Sequence, residues 1–180
     1  MALGSGGPRE LMRLEHMLGN WSEPEIKKIE SIYTGERPTK MERKALQAML
    51  WLGEATLPAS NSSKFAKVSI AFETAVGGDA KGDDELKEIG ITEMLAERTA
   101  FLLGDDRESR MSWHKAVKKL YGSRSKVMHG ELDPISNEEL TRWAYLVWTA
   151  TRALLNGLHA WNSVEDFVRW VRVQRYTLPT

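Results

Sequence analysis

Apolar residues recur along most of this chain at intervals of three and four, the period of a helix that buries one face. The stretches run from Met41 to Leu52, Phe65 to Val76, Ile91 to Leu102, Trp113 to Val127, Leu140 to Leu158 and Val164 to Val171. No stretch shows the sustained alternation of a strand, and there is no internal repeat. The pattern predicts an all-α protein: an up-and-down helical bundle of four to five core helices with short N- and C-terminal additions.

Capping residues and glycines predict the helix boundaries. Thr39, Ser63 and Ser136 precede periodic stretches as N-caps do, and Ser136 opens a Ser-Asn-Glu-Glu capping box. Gly77-Gly78, Gly104 and Gly130 follow three of the stretches, and the helix after Ser136 is expected to reach Asn162. We divide the chain into an appendage over 1–38 with short helices at 9–18 and 21–32, a helical domain over 39–162, and an amphipathic helix over 163–180. The first residues resemble an expression tag.

Two arginines, Arg98 and Arg124, occupy positions that the helical period assigns to the core. A buried guanidinium needs a carboxylate partner, or it must extend to solvent. The period favours neither outcome for Arg98. Glu73, Glu93 and Glu97 are the nearby acids, and Glu73 is the preferred partner because it borders the apolar face of the preceding helix. In the last helix, Arg169, Arg172 and Arg175 are expected to be exposed.

The charge balance restricts how a polyanion could bind. The chain has 25 Lys plus Arg and 25 Asp plus Glu, so it is not a generally basic nucleic-acid coat protein. Between positions 107 and 129, however, the only acid among many lysines and arginines is Glu108. Lys118, Lys119 and Lys126 are therefore candidate RNA-binding residues. An ordinary solvated helix face is the alternative for these lysines.

Several classes of chemistry have no signal in this sequence. There is no cysteine, the four histidines are scattered, and no phosphate loop or dinucleotide fingerprint occurs. No apolar run is long enough to cross a bilayer, and the N-terminus lacks the regions of a signal peptide. We therefore expect a cytoplasmic protein with no metal, no cofactor and no membrane partner.

The remaining chemical candidate is Arg124-Ser-Lys-Val-Met-His129-Gly. An arginine binds phosphate with two parallel hydrogen bonds, and a histidine titrates near neutrality and transfers protons. Together they suffice for metal-independent RNA cleavage. Spacing alone does not discriminate, because Arg9/His16, Arg107/His114 and Arg152/His159 fit a similar interval.

The surrounding residues do discriminate. Leu-Tyr-Gly-Ser-Arg-Ser-Lys-Val-Met-His-Gly, residues 120–130, resembles the signature of HEPN domains, in particular the Apea-like branch. Residues 95–104, Leu-Ala-Glu-Arg-Thr-Ala-Phe-Leu-Leu-Gly, resemble the penultimate core helix of that family, and Ser69 to Glu73 resembles the helix that supplies a glutamate. The resemblance covers about residues 40–160. It departs from many active members at Ser125, where they have Asn, Asp or His and the Apea-like branch has serine.

This resemblance implies an all-helical homodimer that cleaves RNA without metal, in toxin action or antiviral defence. Arg124 would bind the phosphate and stabilise the transition state, and His129 would be the acid and base. Glu73, Arg98, Ser125 and Tyr121 would be supporting residues. RNA and an antitoxin or another defence-system subunit are the implied partners.

Helix geometry constrains this hypothesis. Residues five apart project about 140° apart on an intact helix, so Arg124 and His129 cannot lie side by side. Either the helix distorts near Gly130 or a second subunit completes the cleft. In the alternative interpretations, Arg124 pairs with a core acid or reaches solvent, and His129 caps the helix. The chain would then be a non-catalytic HEPN-like module for dimerisation and RNA or protein binding, or a structural helical adaptor.

Overall fold

A computed structural model of the chain describes residues 20–57, 60–78, 90–128 and 135–177, apart from the side chains of Lys126 and Met128. These four segments contain seven helices and no strand, which confirms the all-α prediction. In chain order the helices are α1 (Glu23–Thr34), α2 (Lys40–Glu54), α3 (Asn61–Val76), α4 (Ile91–Leu103), α5 (Arg107–Met128), α6 (Asn137–Gly157) and α7 (Val164–Tyr176).

Helices α3 and α6 form the centre of the bundle, since α3 packs against α2, α4, α5 and α6. At their contact Trp143 of α6 is fully buried, with ring centroids 6.0 Å from Phe65 and 5.0 Å from Phe72. The Trp143 indole N–H donates to the Ser69 hydroxyl at 2.9 Å, and Ser69 in turn donates to the Phe65 carbonyl. This hydrogen-bonded chain explains why a serine occupies the apolar face of α3.

Most of the predicted helix boundaries agree with the structure, and two need correction. Thr39 caps α2 and Ser136 caps α6, as predicted. The cap of α3 is Ser60 rather than Ser63, because the Ser60 hydroxyl accepts the Ser63 backbone N–H at 3.2 Å. Helix α6 ends at Gly157, short of Asn162, where the Trp161 ring packs so closely that a Cβ at position 157 would lie 2.3 Å from it.

The helices outside 39–162 pack onto the bundle. Trp21, just before α1, lies 6.0 Å from Trp148 of α6, and Ile32 of α1 is buried in the core. Helix α7 buries Phe167, Val168 and Val171, as its pattern predicts.

Arg175 of α7 differs from the prediction, because it pairs with Glu97 of α4 instead of lying exposed. The helix predicted over 9–18, Gly130 and the turn at Asp133-Pro134 lie outside the described residues. None of the seven described helices combines the length and apolar composition that a membrane crossing requires.

Candidate functional site

The last turns of α5 carry two predicted site residues that meet a third on α3. The Glu73 carboxylate lies 2.8 Å from Nη2 of Arg124, and the Tyr121 hydroxyl donates to the same carboxylate oxygen at 2.9 Å. The Arg124 guanidinium also lies over the Tyr121 ring, 5.0 Å from its centroid. We call Glu73, Tyr121 and Arg124 the Glu73 cluster.

The helical period of α5 explains this arrangement. Val117, Tyr121 and Arg124 follow at intervals of four and three, so they share the side of α5 that faces α3. Val117 is fully buried and Tyr121 is 8% exposed, whereas the Arg124 side chain is 27% exposed. The buried stripe of α5 therefore reaches the surface at Arg124.

The surroundings of Tyr121 keep its phenol protonated. Burial, the hydrogen bond to Glu73 and the negative charge of that carboxylate together raise the pKa of Tyr121 to about 12. The phenol consequently remains a neutral donor at neutral pH. It helps to fix the carboxylate that orients Arg124.

Arg124 keeps donor capacity in this cluster. A guanidinium carries five N–H donors, and within the described part of the chain only Nη2 of Arg124 has a polar partner. Its Nε is buried without an acceptor, an arrangement that is uncommon in folded proteins because it costs free energy. Arg124 is thus held in one orientation but is not saturated by its neighbours.

The expected Glu73–Arg98 pair is wrong, because Glu73 binds Arg124. Arg98 is only 2% exposed, so it does not extend to solvent either. Its Nη1 donates to the carbonyl oxygens of Val76, at 3.0 Å, and Gly78, at 2.7 Å. The terminal carbonyls of a helix lack donors from their own helix, so a cation is stabilised there.

Lys44 of α2 binds the same end of α3. Its Nζ donates to the Gly77 carbonyl at 2.9 Å, and burial followed by the charge of Arg98 lowers the pKa of Lys44 to about 8. Gly78 adopts φ +95°, a conformation that favours glycine. The predicted position of Arg98 on the buried face is therefore correct, but it belongs to the end of α3 rather than to the Glu73 cluster.

The other predicted site residues are spread around α5. Lys118 binds Glu93 of α4 at 2.9 Å, whereas Lys119 is exposed beside the groove between α5 and α6. Ser125 is exposed. His129 and the side chain of Lys126 lie outside the described residues. The RNA-binding roles of the lysines remain predictions, with Lys118 and Lys119 on different sides of the helix.

Two further features near α5 were not predicted from the sequence. Glu93 accepts from His114 as well as Lys118, and His114 lines a pocket between α4 and α5. The signal available in the sequence was the four-residue interval between His114 and Lys118, which sets both on one face of a helix. No group of three His, Cys, Asp or Glu side chains within the described segments is arranged to hold a metal ion.

Comparison with known proteins adds no relative from which function could be transferred. The chain matches no protein-family model, no curated protein and no solved structure. The features that bear on function are therefore this chain's own residues and the resemblance of residues 120–130 to the HEPN signature.

Proposed function

We propose that this chain is a metal-independent endoribonuclease of the HEPN type, acting as a homodimer in toxin action or antiviral defence. The observation that supports it most directly is the state of Arg124. Its guanidinium is oriented by Glu73 and Tyr121 and is partly exposed, and its Nη1 has no polar partner among the described residues. The anionic group of RNA is the phosphodiester, whose oxygens match the planar N–H donors of a guanidinium.

The proposed reaction is an attack of the ribose 2′-hydroxyl on the adjacent phosphorus. His129 of one subunit removes the hydroxyl proton while the new P–O2′ bond forms. The P–O5′ bond breaks, and the departing O5′ takes the proton from the protonated imidazole of His129, which returns to its neutral form. The products are a 2′,3′-cyclic phosphate and a 5′-hydroxyl, so neither water nor metal enters this step.

Arg124 would stabilise the additional negative charge on the phosphoryl oxygens in the transition state. Glu73 and Tyr121 would act as positioning residues, because they fix the guanidinium plane without touching the reacting atoms. They would contribute to the rate by holding the guanidinium in the orientation that its two hydrogen bonds to the phosphate require.

The dimer is part of the proposal for a geometric reason. Arg124 and His129 project about 140° apart on a regular helix, so one copy of an undistorted helix cannot direct both side chains to one phosphate. Two copies that meet along α5 would pair the Arg124 of one subunit with the His129 of the other. Dimerisation would then be required for cleavage.

The second candidate function is a non-catalytic module for dimerisation and for binding RNA or protein. The Arg124–Glu73 ion pair is the observation in its favour, because the carboxylate already compensates the charge that a phosphate would use. A saturated arginine would favour this function strongly. The partial exposure of Arg124 and the absence of a described polar partner for its Nη1 favour the nuclease instead.

The decisive experiment is RNA cleavage in EDTA by the full chain and by Arg124→Ala and His129→Ala. The matched controls are Arg142→Ala and His159→Ala, since both residues are exposed and, among the described residues, bond only to neighbours within four positions. We expect cyclic phosphate ends that disappear in the first two variants and persist in the controls. Folding and dimerisation are checked by circular dichroism and light scattering. A folded wild-type dimer that cuts no RNA would favour the binding module.

A further inference from the structure

A pocket of about 300 Å³ opens between α4 and α5, toward the start of α5. Its apolar wall includes Phe101 and Met111, and Met111 is 50% exposed. Its polar groups include Arg110, His114 and Lys115. None of these residues belongs to the Glu73 cluster. We call this space the Arg110 pocket.

Arg110 is rigidly held in the pocket. Its Nε donates to the Gly104 carbonyl at 3.0 Å, and its guanidinium carbon lies 4.8 Å from the Phe101 ring centroid. Gly104 permits this position, because a Cβ there would lie 2.7 Å from the Arg110 Cγ. Among the described residues, neither terminal nitrogen of Arg110 has a polar partner. The pocket therefore contains a pre-oriented pair of free guanidinium nitrogens.

His114 is also fixed in orientation. Its Nε2 lies 2.6 Å from one Glu93 oxygen, while the other Glu93 oxygen accepts from Lys118 at 2.9 Å. A carboxylate at this distance assigns the proton to Nε2, which leaves Nδ1 of a neutral His114 as an acceptor. When His114 is protonated, Nδ1 becomes a donor instead.

The electrostatics of the pocket favour an anion. Its two carboxylates are already paired, Glu93 with Lys118 and His114, and Glu97 with Arg175. The hydrogen bonds from Lys118 and His114 hold the pKa of Glu93 below its ordinary value, so Glu93 remains an anion that is bonded to both residues. Arg110 and the exposed Lys115 are the cations left for a ligand.

We propose that the Arg110 pocket binds a phosphate group of a nucleotide. The terminal nitrogens of Arg110 would hold two phosphate oxygens, Lys115 would approach from solvent, and Phe101 and Met111 would contact the sugar or base. A phosphate fits this site better than a carboxylate because it offers oxygens to both cations at once. The volume is at the small end for ligand pockets, which suits one nucleotide unit.

This site extends the proposed nuclease function, because it lies on the helix that carries Arg124. Arg110 and Arg124 are separated by about 21 Å along the axis of a regular α5 and by only about 40° around it. One RNA strand running along α5 could contact both. The pocket would then hold a phosphate several nucleotides away from the scissile bond. A free mononucleotide is the other source of the same chemistry.

The test measures binding of a fluorescent RNA dodecamer by anisotropy, in EDTA and in an Arg124→Ala background that prevents the proposed cleavage. Arg110→Ala and Lys115→Ala are compared with Arg142→Ala, which removes the same charge as Arg110→Ala from an exposed site. We expect the dissociation constant to rise about tenfold for Arg110→Ala, a typical loss for a bidentate phosphate contact. Lys115→Ala should raise it a few-fold and Arg142→Ala less than twofold.

Adenosine monophosphate is titrated in parallel by calorimetry. Arg110-dependent binding of this mononucleotide would identify a free nucleotide as a ligand, while Arg110-dependent binding of RNA alone would identify a strand. Equal effects of Arg110→Ala and Arg142→Ala, or no binding of either probe, would overturn the proposal. If Arg110→Ala unfolds, Lys115→Ala replaces it in the test, because Lys115 is exposed. Unchanged RNA binding by Lys115→Ala would then contradict the proposal. Cleavage by wild type is assayed separately, so loss of the nuclease proposal and loss of this one are distinguishable.

Discussion

Two of the Glu–Arg pairs that join different helices in the described part of the chain are built from the same parts. Glu25 of α1 binds Arg152 of α6, and the Arg152 guanidinium lies 5.0 Å from the Trp148 ring centroid. In the Glu73 cluster, the Arg124 guanidinium lies at the same 5.0 Å from Tyr121. Each arginine is thus held by a carboxylate from another helix and by an aromatic ring of its own. We call Glu25, Trp148 and Arg152 the Glu25 latch.

The two pairs differ in burial and in how completely they are hydrogen-bonded. The Glu25 side chain is 7% exposed and accepts from Nε and Nη2 of Arg152 and from the backbone and hydroxyl of Ser22. Glu73 is 29% exposed, lies 2.8 Å from one Arg124 nitrogen and accepts a hydrogen bond from Tyr121. Both oxygens of the Glu25 carboxylate are hydrogen-bonded, and the pair secures α1 to the bundle. The Glu73 cluster leaves the arginine available, as a binding site requires.

The largest effect that separates the two pairs is expected in RNA cleavage. Arg124→Met should lower the cleavage rate by about 10²- to 10³-fold, the usual cost of removing one group that stabilises an anionic transition state. Arg152→Met should change the rate less than twofold, because Arg152 is far from the proposed motif in sequence and serves α1. Single-turnover cleavage in EDTA measures both, at a temperature where each variant is folded. Equal losses in the two variants would assign Arg124 a structural role.

Stability should show the opposite order. Glu25→Gln removes the charge of a buried carboxylate that accepts from Arg152 and Ser22, and it should lower the free energy of unfolding by about 2–3 kcal/mol. Glu73→Gln changes a partly exposed pair and keeps an acceptor for Tyr121, so we expect a loss below about 1 kcal/mol. Urea denaturation of both variants provides the comparison. A larger loss for Glu73→Gln would mean that the Glu73 cluster, and not the latch, secures the fold.

The same latch should make stability depend on acid pH. The bonds from Arg152 and Ser22 lower the pKa of Glu25 from 4.5 to about 2. The stabilisation is therefore complete above about pH 4.5 and is lost as the pH falls toward 2, with a total of about 3 kcal/mol. Denaturation of wild type and Glu25→Gln across this range should give curves that converge on acidification. A constant separation between them would show that the pairing is not electrostatic.

The fold could be predicted from the sequence to a large extent, because its helices obey local rules. The interval between apolar residues gave all six helices from position 40 onward, and Thr39 and Ser136 marked two starts. The errors occurred at residues whose structure depends on tertiary contacts. The Trp161 ring packs on Gly157, the last residue of α6, and Glu97 of α4 pairs with Arg175 of α7. The interval between apolar residues does not contain that information.

The sequence predicted which residues belong to the candidate site, but not which arginine pairs with which carboxylate. The period assigned both Arg98 and Arg124 to buried faces, and it identified Glu73 as an acid near the core. Which arginine meets Glu73 depends on the relative rotation of α3, α4 and α5, and a single-helix period does not contain that rotation. Arg110 was not predicted as a binding residue, because its fixed orientation depends on contacts with Gly104 and Phe101 that the sequence pattern does not show.

The smallest expected effect concerns the hydroxyl that distinguishes Tyr121 from a simple aromatic support. Tyr121→Phe keeps the ring beneath Arg124 but removes the hydrogen bond to Glu73, so we expect a loss of about 1 kcal/mol. Because the pKa of Tyr121 is raised to about 12, this stabilisation is complete below about pH 10, the ordinary pKa, and declines as the pH rises toward 12. The stability of wild type and Tyr121→Phe is compared across this pH range.

The pKa of Tyr121 itself is measured by ultraviolet titration, as the difference between the absorbance curves of wild type and Tyr121→Phe. Glu73→Gln should lower this pKa only partly, since burial is the largest cause of the shift. Ionisation of Tyr121 near pH 10 in wild type would mean that the phenol is open to water, and Arg124 would then lack the rigid support on which its proposed role depends.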